Sequence, residues 1–131
     1  MGRDPIDRAV SKLLGDSLRA LYAIIMLRIV VERGPIHGYG IRKLVEEVSR
    51  GAARPSESTV YDTLKRLERM GLIESFWGES PLGGPMRKYY RATELGREVL
   101  SRLLEELQPI LSAILGISPE AGSPWARSGD S

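Results

Sequence analysis

The side chains best suited to chemistry lie in the segment 56–69, where hydroxyl groups are followed by cations. At helical spacing, Val60, Leu64 and Leu67 would face inward. The opposite face would then carry Ser58, Thr59, Asp62, Lys65, Arg66 and Arg69. Hydroxyls and long cations are the groups that contact phosphates and guanine edges in nucleic acids. A solvated helix face that binds nothing is the simpler alternative.

Three neighbouring side chains extend this candidate surface. Tyr61 lies one residue from the apolar stripe, so its ring can pack on the core while its hydroxyl reaches a phosphate. Core packing alone explains Tyr61 equally well. Tyr39 opens the preceding helix, with Lys43 one turn on, and both are candidates for phosphate contact. Phosphate would repel Asp62, which is therefore expected to read a cytosine amino group or to orient a lysine.

A later strand adds two further cations, Arg87 and Lys88. Strand side chains alternate, so at most one of them is expected to face DNA squarely. The connection before this strand contains Glu79 and no cation, which predicts a weaker contact to DNA than a basic tip would make. Trp77 is expected in the core, and an effector site near the hairpin is the alternative.

Catalytic and metal sites are not expected. The chain has no cysteine and one histidine, which excludes disulfides, thiolate zinc sites and multi-histidine sites within one chain. His37 has no local nucleophile beside it, so a helix cap or a turn hydrogen bond is the expected role. We therefore expect a protein that is not an enzyme and that has no catalytic residues, no metal and no cofactor.

Composition sets broad limits. The chain has 131 residues and a net charge of +2, which is too mild to indicate a polyanionic partner by itself. Its most apolar run, Ala20 to Val31, is well short of the roughly 20 residues that cross a bilayer. The start of the chain does not resemble a secretion signal. A cytoplasmic protein without a membrane partner is expected.

Four helices are predicted to position the candidate surface. The first begins at Pro5, breaks at Gly15 and is capped again by Asp16 or Ser17. Its second part, residues 18–31, is apolar nearly all round and belongs at the centre of the core.

The second helix is predicted over Tyr39 to Ser49. Ser56 can cap the third helix, and Gly71 occupies the position where a left-handed residue ends one. Leu72 can then pack back on Leu67, as in a Schellman ending.

A hairpin and a last helix follow. Leu72 to Trp77 and Met86 to Ala92 read as two strands around a connection rich in glycine and proline. Thr93 can cap the last helix, in which Pro109 predicts a bend near Glu105. The apolar stripe of that helix is too wide for one packing partner, so a second chain is expected to cover part of it. The candidate dimerisation residues are Leu100, Leu103, Leu104, Leu107, Leu111 and Ile114.

This order of elements predicts a mostly α (α+β) fold. It is a winged helix-turn-helix with a two-stranded β-hairpin wing and a long C-terminal dimerisation helix. The expected domains are a DNA-binding domain over 4–92, the dimerisation helix over 93–117 and a disordered tail over 118–131. Such a module places its third helix in the major groove and its hairpin near the DNA backbone.

The chain resembles the PadR family of winged-helix transcriptional regulators over residues 34–100. The matching motifs are Gly34-Pro35-x-His37-Gly38-Tyr39, Val60-Tyr61-x-x-Leu64-x-x-Leu67-Glu68, Gly71-Leu72-Ile73 and Arg87-Lys88-Tyr89-Tyr90-x-x-Thr93-x-x-Gly96. The resemblance implies a homodimer held by the C-terminal helix, as in the small subfamily. It also implies repression of transcription that is often relieved by a small aromatic or drug-like effector. The C-terminal helix has no tryptophan, so the effector pocket of drug-sensing members does not carry over.

Two functions follow from these observations. The first is a dimeric, sequence-specific regulator that binds double-stranded DNA, with an inverted-repeat operator whose half-sites lie about 34 Å apart. The alternative is a winged-helix module that binds proteins and has little affinity for DNA. The modest net charge and the acidic wing tip keep this alternative open.

Overall fold

The computed structural model describes residues 4–117, which form four helices and three strands. In chain order the elements are α1 (Pro5–Arg33), β1 (Ile36–His37), α2 (Gly38–Val48), α3 (Glu57–Arg69), β2 (Ile73–Gly78), β3 (Arg87–Ala92) and α4 (Glu94–Leu115). The chain divides into two units after Leu100. No helix within residues 4–117 combines the length and the apolar character that crossing a bilayer requires. The tail predicted to be disordered, 118–131, lies outside the described residues.

Helix α1 is continuous, so the predicted break at Gly15 is wrong. Asp4 caps its start by accepting a hydrogen bond from the Asp7 backbone nitrogen at 2.8 Å. One glycine inside a helix costs only about 1 kcal/mol, which a long helix tolerates. Ser17 does not cap a second helix, because its hydroxyl donates back to the Leu13 carbonyl at 3.0 Å inside the same helix.

The second part of α1 lies at the centre of the core, as predicted. It packs against α2, α3 and β3. Its buried residues are Ala23, Met26, Leu27, Ile29 and Val30. Ile41 and Val45 of α2 and Val60 and Leu64 of α3 complete the buried centre. This core holds α3 with one face inward and the other in solvent.

Both ends of α3 follow the predicted caps. The Ser56 hydroxyl accepts a hydrogen bond from the Thr59 backbone nitrogen at 3.1 Å. At the other end Gly71 has a φ of 76°, in the left-handed region that favours glycine. The Leu72 nitrogen donates to the Leu67 carbonyl at 3.1 Å, which is the Schellman hydrogen bond that the sequence predicts.

The predicted hairpin is present and belongs to a sheet of three strands rather than two. Antiparallel pairing of β2 and β3 runs from Ile73↔Ala92 to Gly78↔Arg87. The short strand β1 pairs with the other edge of β3, which gives the order β1-β3-β2. The fold class is confirmed. A strand of two residues is too short to produce an alternating pattern, so the sequence did not predict β1.

Thr93 joins the hairpin to α4. Its Oγ1 accepts from the Gly96 backbone nitrogen at 3.0 Å, which confirms the predicted cap. The same hydroxyl donates to the Gly71 carbonyl at 2.7 Å and thereby links the end of α3 to the start of α4. Gly96 packs directly on the Leu72 backbone, and a Cβ there would collide with the Leu72 carbonyl.

The second unit contains the end of α4, which continues past Pro109 to Leu115. Arg102 and Glu106 form an exposed ion pair at 2.8 Å. The end of α4 carries four exposed apolar side chains: Ile110, Leu111, Ile114 and Leu115. Leu103, Leu104 and Leu107 are half-buried.

Candidate nucleic-acid interface

The outward face of α3 carries the polar side chains that the sequence assigned to it. Val60, Leu64 and Leu67 are buried, so the opposite side of the helix faces solvent. Ser58, Asp62, Lys65 and Arg69 are exposed, and Thr59 and Arg66 are half-buried. Hydroxyls therefore lie near the start of α3 and cations near its end, where the helix dipole favours cations.

A groove of about 640 Å³, which we call the wing groove, lies between α3, the start of α2 and the hairpin. It brings together four of the predicted site residues: Tyr39, Tyr61, Arg87 and Lys88. His37, Gly38 and Trp77 complete its lining. Among residues 4–117, its lining includes two cations and no carboxylate, so its charge suits an anion.

Tyr61 is held in the wing groove by Gly38. A Cβ added to Gly38 would lie 2.6 Å from the Tyr61 Oη and 2.7 Å from its Cζ, so the ring rests directly on the glycine. The Tyr61 side chain is still 41% exposed. The ring therefore packs on the chain while the side chain lines the groove, and phosphate contact by the hydroxyl stays a prediction.

Arg87 and Lys88 are adjacent on β3 and both line the wing groove, although strand alternation favours one of them. The Lys88 ammonium lies 5.8 Å from the centroid of the Tyr90 ring, which gives it a cation–π contact. Both side chains are exposed and can reach a ligand in the groove.

Trp77 is not a core residue, which corrects the favoured expectation. Its side chain is 65% exposed and lines the wing groove. Strand β2 is buried at Ile73 and becomes exposed toward the connection, so Trp77 lies beyond the part of the sheet that the helices cover. The alternative, an effector site near the hairpin, stays a prediction.

A second groove of about 430 Å³, the arginine groove, lies between α1 and α3. It brings Thr59, Asp62 and Arg66 together with Arg69 and Thr63 of the same helix. Arg19 and Tyr22 enter from α1, and the sequence reasoning missed both of them. The one available signal was the interruption of an apolar helix by Arg19.

The three arginines of this second groove are not neutralised by ion pairs. Among residues 4–117, no ion pair includes Arg19, Arg66 or Arg69. Within the described part of the chain, Asp62 is the one carboxylate that lines the groove, so three cations face one anion. Asp62 thus lies among guanidinium groups rather than alone against a phosphate.

Three predicted residues line neither groove. Ser58 and Lys65 lie on the exposed surface of α3 between them, and the Ser58 hydroxyl is 3.2 Å from that of Ser56. Lys43 is exposed on α2, one turn after Tyr39.

His37 is a helix cap, as predicted. Its Nδ1 accepts a hydrogen bond from the Gly40 backbone nitrogen at 3.1 Å at the start of α2. Partial burial and the neighbouring Arg87 guanidinium lower the pKa of His37 below its ordinary value of 6.5. Within residues 4–117, no cluster of histidine, aspartate and glutamate side chains could hold a metal ion.

Together these elements define a class of protein. Helix α2 leads into α3, whose polar face is exposed, and the β2–β3 hairpin follows it as a wing. This arrangement is the winged helix-turn-helix, in which the second helix of the pair enters a DNA groove.

Comparison with known proteins gives the family. Residues 26–102 match the transcriptional regulator PadR-like family, and the chain belongs to that family. It is a family of transcriptional regulators, not of enzymes.

Three relatives illustrate the similarity. The chain is 35% identical over 91 residues to an uncharacterized protein of Lysinibacillus sphaericus, covering 70% of this chain and 82% of that protein. It is 38% identical over 73 residues to the transcriptional regulator Rv3488 of Mycobacterium tuberculosis, covering 56% and 66% of the two chains. A crystal structure of a PadR family transcription regulator from Clostridium difficile superposes with a TM-score of 0.61 at 32% identity, covering 72% and 96%.

Proposed function

We propose that this protein is a dimeric, sequence-specific DNA-binding regulator whose α3 lies in the major groove. The observation that carries the proposal is the exposed polar face of α3 with a cation-lined groove on each side. A helix in the major groove has a DNA backbone on both sides of it, so cations are needed on both flanks. DNA binding is also what membership of the family implies.

The side chains divide into base-reading and backbone-contacting groups. Lys65 and Arg66 read guanine edges or contact phosphates, and Ser58 and Thr59 approach bases or phosphates near the start of α3. Asp62 accepts from a cytosine amino group or orients a lysine. The remaining predicted residues contact the backbone: Tyr39, Lys43, Tyr61, Arg87 and Lys88.

The dimer is proposed to form through the C-terminal helix, residues 93–117. The exposed apolar side chains of α4 support this assignment, because solvent-exposed stripes of this kind mark protein interfaces. We assign the contact to Leu103, Leu104, Leu107, Leu111 and Ile114. The sequence also predicted Leu100, which is wrong, because Leu100 is only 4% exposed and is buried within its own chain. Two copies of α3 would then read an inverted-repeat operator with half-sites about 34 Å apart.

We further infer, from the family alone, that the protein is a cytoplasmic repressor relieved by a small aromatic effector. Such an effector must bind the free and the DNA-bound shapes of the dimer with different affinities. Phenolic and cationic aromatic compounds can be screened for release of bound DNA. Release by any of them supports this role, and release by none contradicts it.

A winged-helix module that binds proteins is the second candidate function. Leu82 at the wing tip is 97% exposed and follows Glu79 in a connection without cations. An apolar, acidic tip suits a protein surface better than a phosphate backbone.

One experiment separates the two functions. A duplex recovered by in vitro selection is titrated with protein at several salt concentrations, and fluorescence anisotropy gives the affinity. Lys65→Glu should weaken binding by about 100-fold because it replaces an attractive contact with a repulsive one. Lys12→Glu is the charge-matched control, since Lys12 lies on α1 and pairs with Asp16. Unchanged binding by Lys65→Glu would remove α3 from the mechanism.

A further inference from the structure

The imidazole of His37 makes two polar contacts, and only one of them can be a hydrogen bond. Nδ1 lies 3.1 Å from the Gly40 backbone nitrogen, and Nε2 lies 3.3 Å from Nη1 of Arg87. Both neighbours are hydrogen-bond donors, so each contact requires a ring nitrogen without a proton. A neutral imidazole has one such nitrogen, and a protonated imidazole has none.

The contact with Gly40 is the real hydrogen bond. The Gly40 N–H is partly buried in the first turn of α2, where it has no intrahelical acceptor. Leaving it unpaired would cost the desolvation of a donor with no hydrogen bond to compensate for it. The Arg87 guanidinium is exposed and can donate to water instead. Nδ1 therefore accepts from Gly40, and the ring proton of His37 is on Nε2.

This tautomer places two donors side by side. The Nε2–H of His37 and an N–H of Arg87 start from atoms 3.3 Å apart, and neither can accept from the other. Within residues 4–117, neither group has another hydrogen-bond partner. Two adjacent donors without an acceptor, beside a positive charge, form a site for an oxyanion.

The ring of His37 is held in this orientation by its neighbours. His37 is the register partner of Tyr89 in the sheet, and the two rings meet edge to face at a centroid distance of 5.7 Å. The ring of Tyr39 stacks on the His37 ring, and the two centroids are 6.3 Å apart. A ring fixed by packing and by its cap offers Nε2–H without a further loss of conformational entropy.

We propose that the Nε2–H of His37 and the guanidinium of Arg87 together bind one phosphate of the DNA backbone. This inference rests on the proposed function. A phosphodiester has two free oxygens and can accept from both donors at once. The wing groove is open, contains Lys88 as a second cation, and joins the hairpin to Tyr61 of α3. A strand bordering the base pairs read by α3 would pass through it.

Two substitutions and their combination test the proposal by anisotropy with the selected duplex. His37→Asn keeps a side-chain oxygen that can cap α2 and leaves the net charge of the neutral ring unchanged. Arg87→Gln removes the cation. Each should weaken binding about tenfold, and the double variant should be about as weak as either one, because both side chains hold the same phosphate. Arg28→Gln is the charge-matched control, since Arg28 lines neither groove and faces Glu32.

Long-range ¹H–¹⁵N NMR of the wild-type ring supplies an independent reading. We expect the Nε2–H tautomer in the free protein and a downfield shift of that proton on addition of the duplex. A ring protonated on Nδ1, or effects of the two substitutions that simply multiply, would overturn the proposal. If both variants bind like wild type while Lys65→Glu binds weakly, the phosphate site is wrong and the proposed function stands. If the wild-type protein binds no duplex, the proposed function itself fails.

Discussion

Two kinds of surface in this chain differ in what they expose. The face of α3 and its two grooves expose hydroxyls, guanidinium groups and tyrosines. The first half of α1 exposes Ile6, Val10, Leu13 and Leu14 instead, and the end of α4 exposes Ile110, Leu111, Ile114 and Leu115. Neither apolar surface belongs to the core around Met26.

The difference indicates two kinds of partner. A polar, cationic surface is stable in water and gains free energy when it replaces the counterions of a polyanion. An apolar stripe is unfavourable in water and gains free energy when another protein surface covers it. In the proposed function, DNA binding and self-association use different side chains, and substitutions should separate the two.

The largest effect is expected when charge is placed on the apolar end of α4. Leu111→Asp together with Ile114→Asp should weaken self-association by about 1,000-fold, because four buried and unpaired carboxylates would enter a dimer interface. Analytical ultracentrifugation measures the association, and circular dichroism checks that the chain stays folded. Affinity for a two-half-site operator should fall with it, whereas Lys65→Glu should leave association unchanged. Unaltered association would show that α4 does not hold the dimer.

A substitution in the folded interior, away from both surfaces, should have an effect of nearly the same size, here on the free energy of unfolding. Gly96→Ala should lower the free energy of unfolding by about 3 kcal/mol, because the new methyl group meets the rigid backbone of Leu72. Gly15→Ala is the matched control. Nothing lies within 4 Å of its added Cβ, so it should raise the stability of α1 by up to about 1 kcal/mol. Urea titration of the two variants gives both values, and equal stabilities would contradict the packing described at Gly96.

A smaller change should affect the proposed DNA-binding surface alone. Gly38→Ala would push the Tyr61 ring out of its present place, because the new Cβ would lie 2.7 Å from the Tyr61 Cζ. Since the ring is partly exposed and can move, we expect duplex affinity to fall by about tenfold and association to stay unchanged. Anisotropy and ultracentrifugation on the same preparation test the two halves of this prediction. If Gly38→Ala weakened both duplex affinity and self-association, the two surfaces would not be separable.

The smallest effect is expected from pH. The folded pKa of His37 is lowered from 6.5, so the unfolded chain takes up a proton first as the pH falls. Stability is therefore complete above about pH 6.5, declines as the pH drops from there toward the lowered folded pKa, and then levels off. Urea titrations at pH 7.5 and 5.5 measure the slope, which His37→Asn should reduce. An equal slope in that variant would show that His37 does not cause it.

Local signals in the sequence predicted the elements that carry their own caps and stripes. Helix α3 is the clearest case, because Ser56, Gly71 and the spacing of Val60, Leu64 and Leu67 all lie within or beside it. The polar face of α3 followed directly from that spacing. The roles of its side chains toward DNA stay predictions.

Features that depend on distant partners could not be predicted. Strand β1 exists because β3 pairs with it, and Arg19 joins the arginine groove because α1 packs on α3. Trp77 is exposed because the helices do not cover that end of the sheet, which its strand pattern does not reveal. The free donor on His37 depends on Gly40 and Arg87 together, and the second of these is far along the chain.

The most direct measurement is an NMR titration of the full chain with the selected duplex, following backbone amides and arginine side chains. Binding through α3 should shift the signals of Ser58, Lys65 and Arg66 and of the wing residues Arg87 and Lys88. The signals of Ile6 and Val10 should stay where they are. If the α3 signals do not move while the duplex binds, α3 is not the DNA-reading helix. The same conclusion follows if the α3 signals move only together with the signals of Ile6 and Val10.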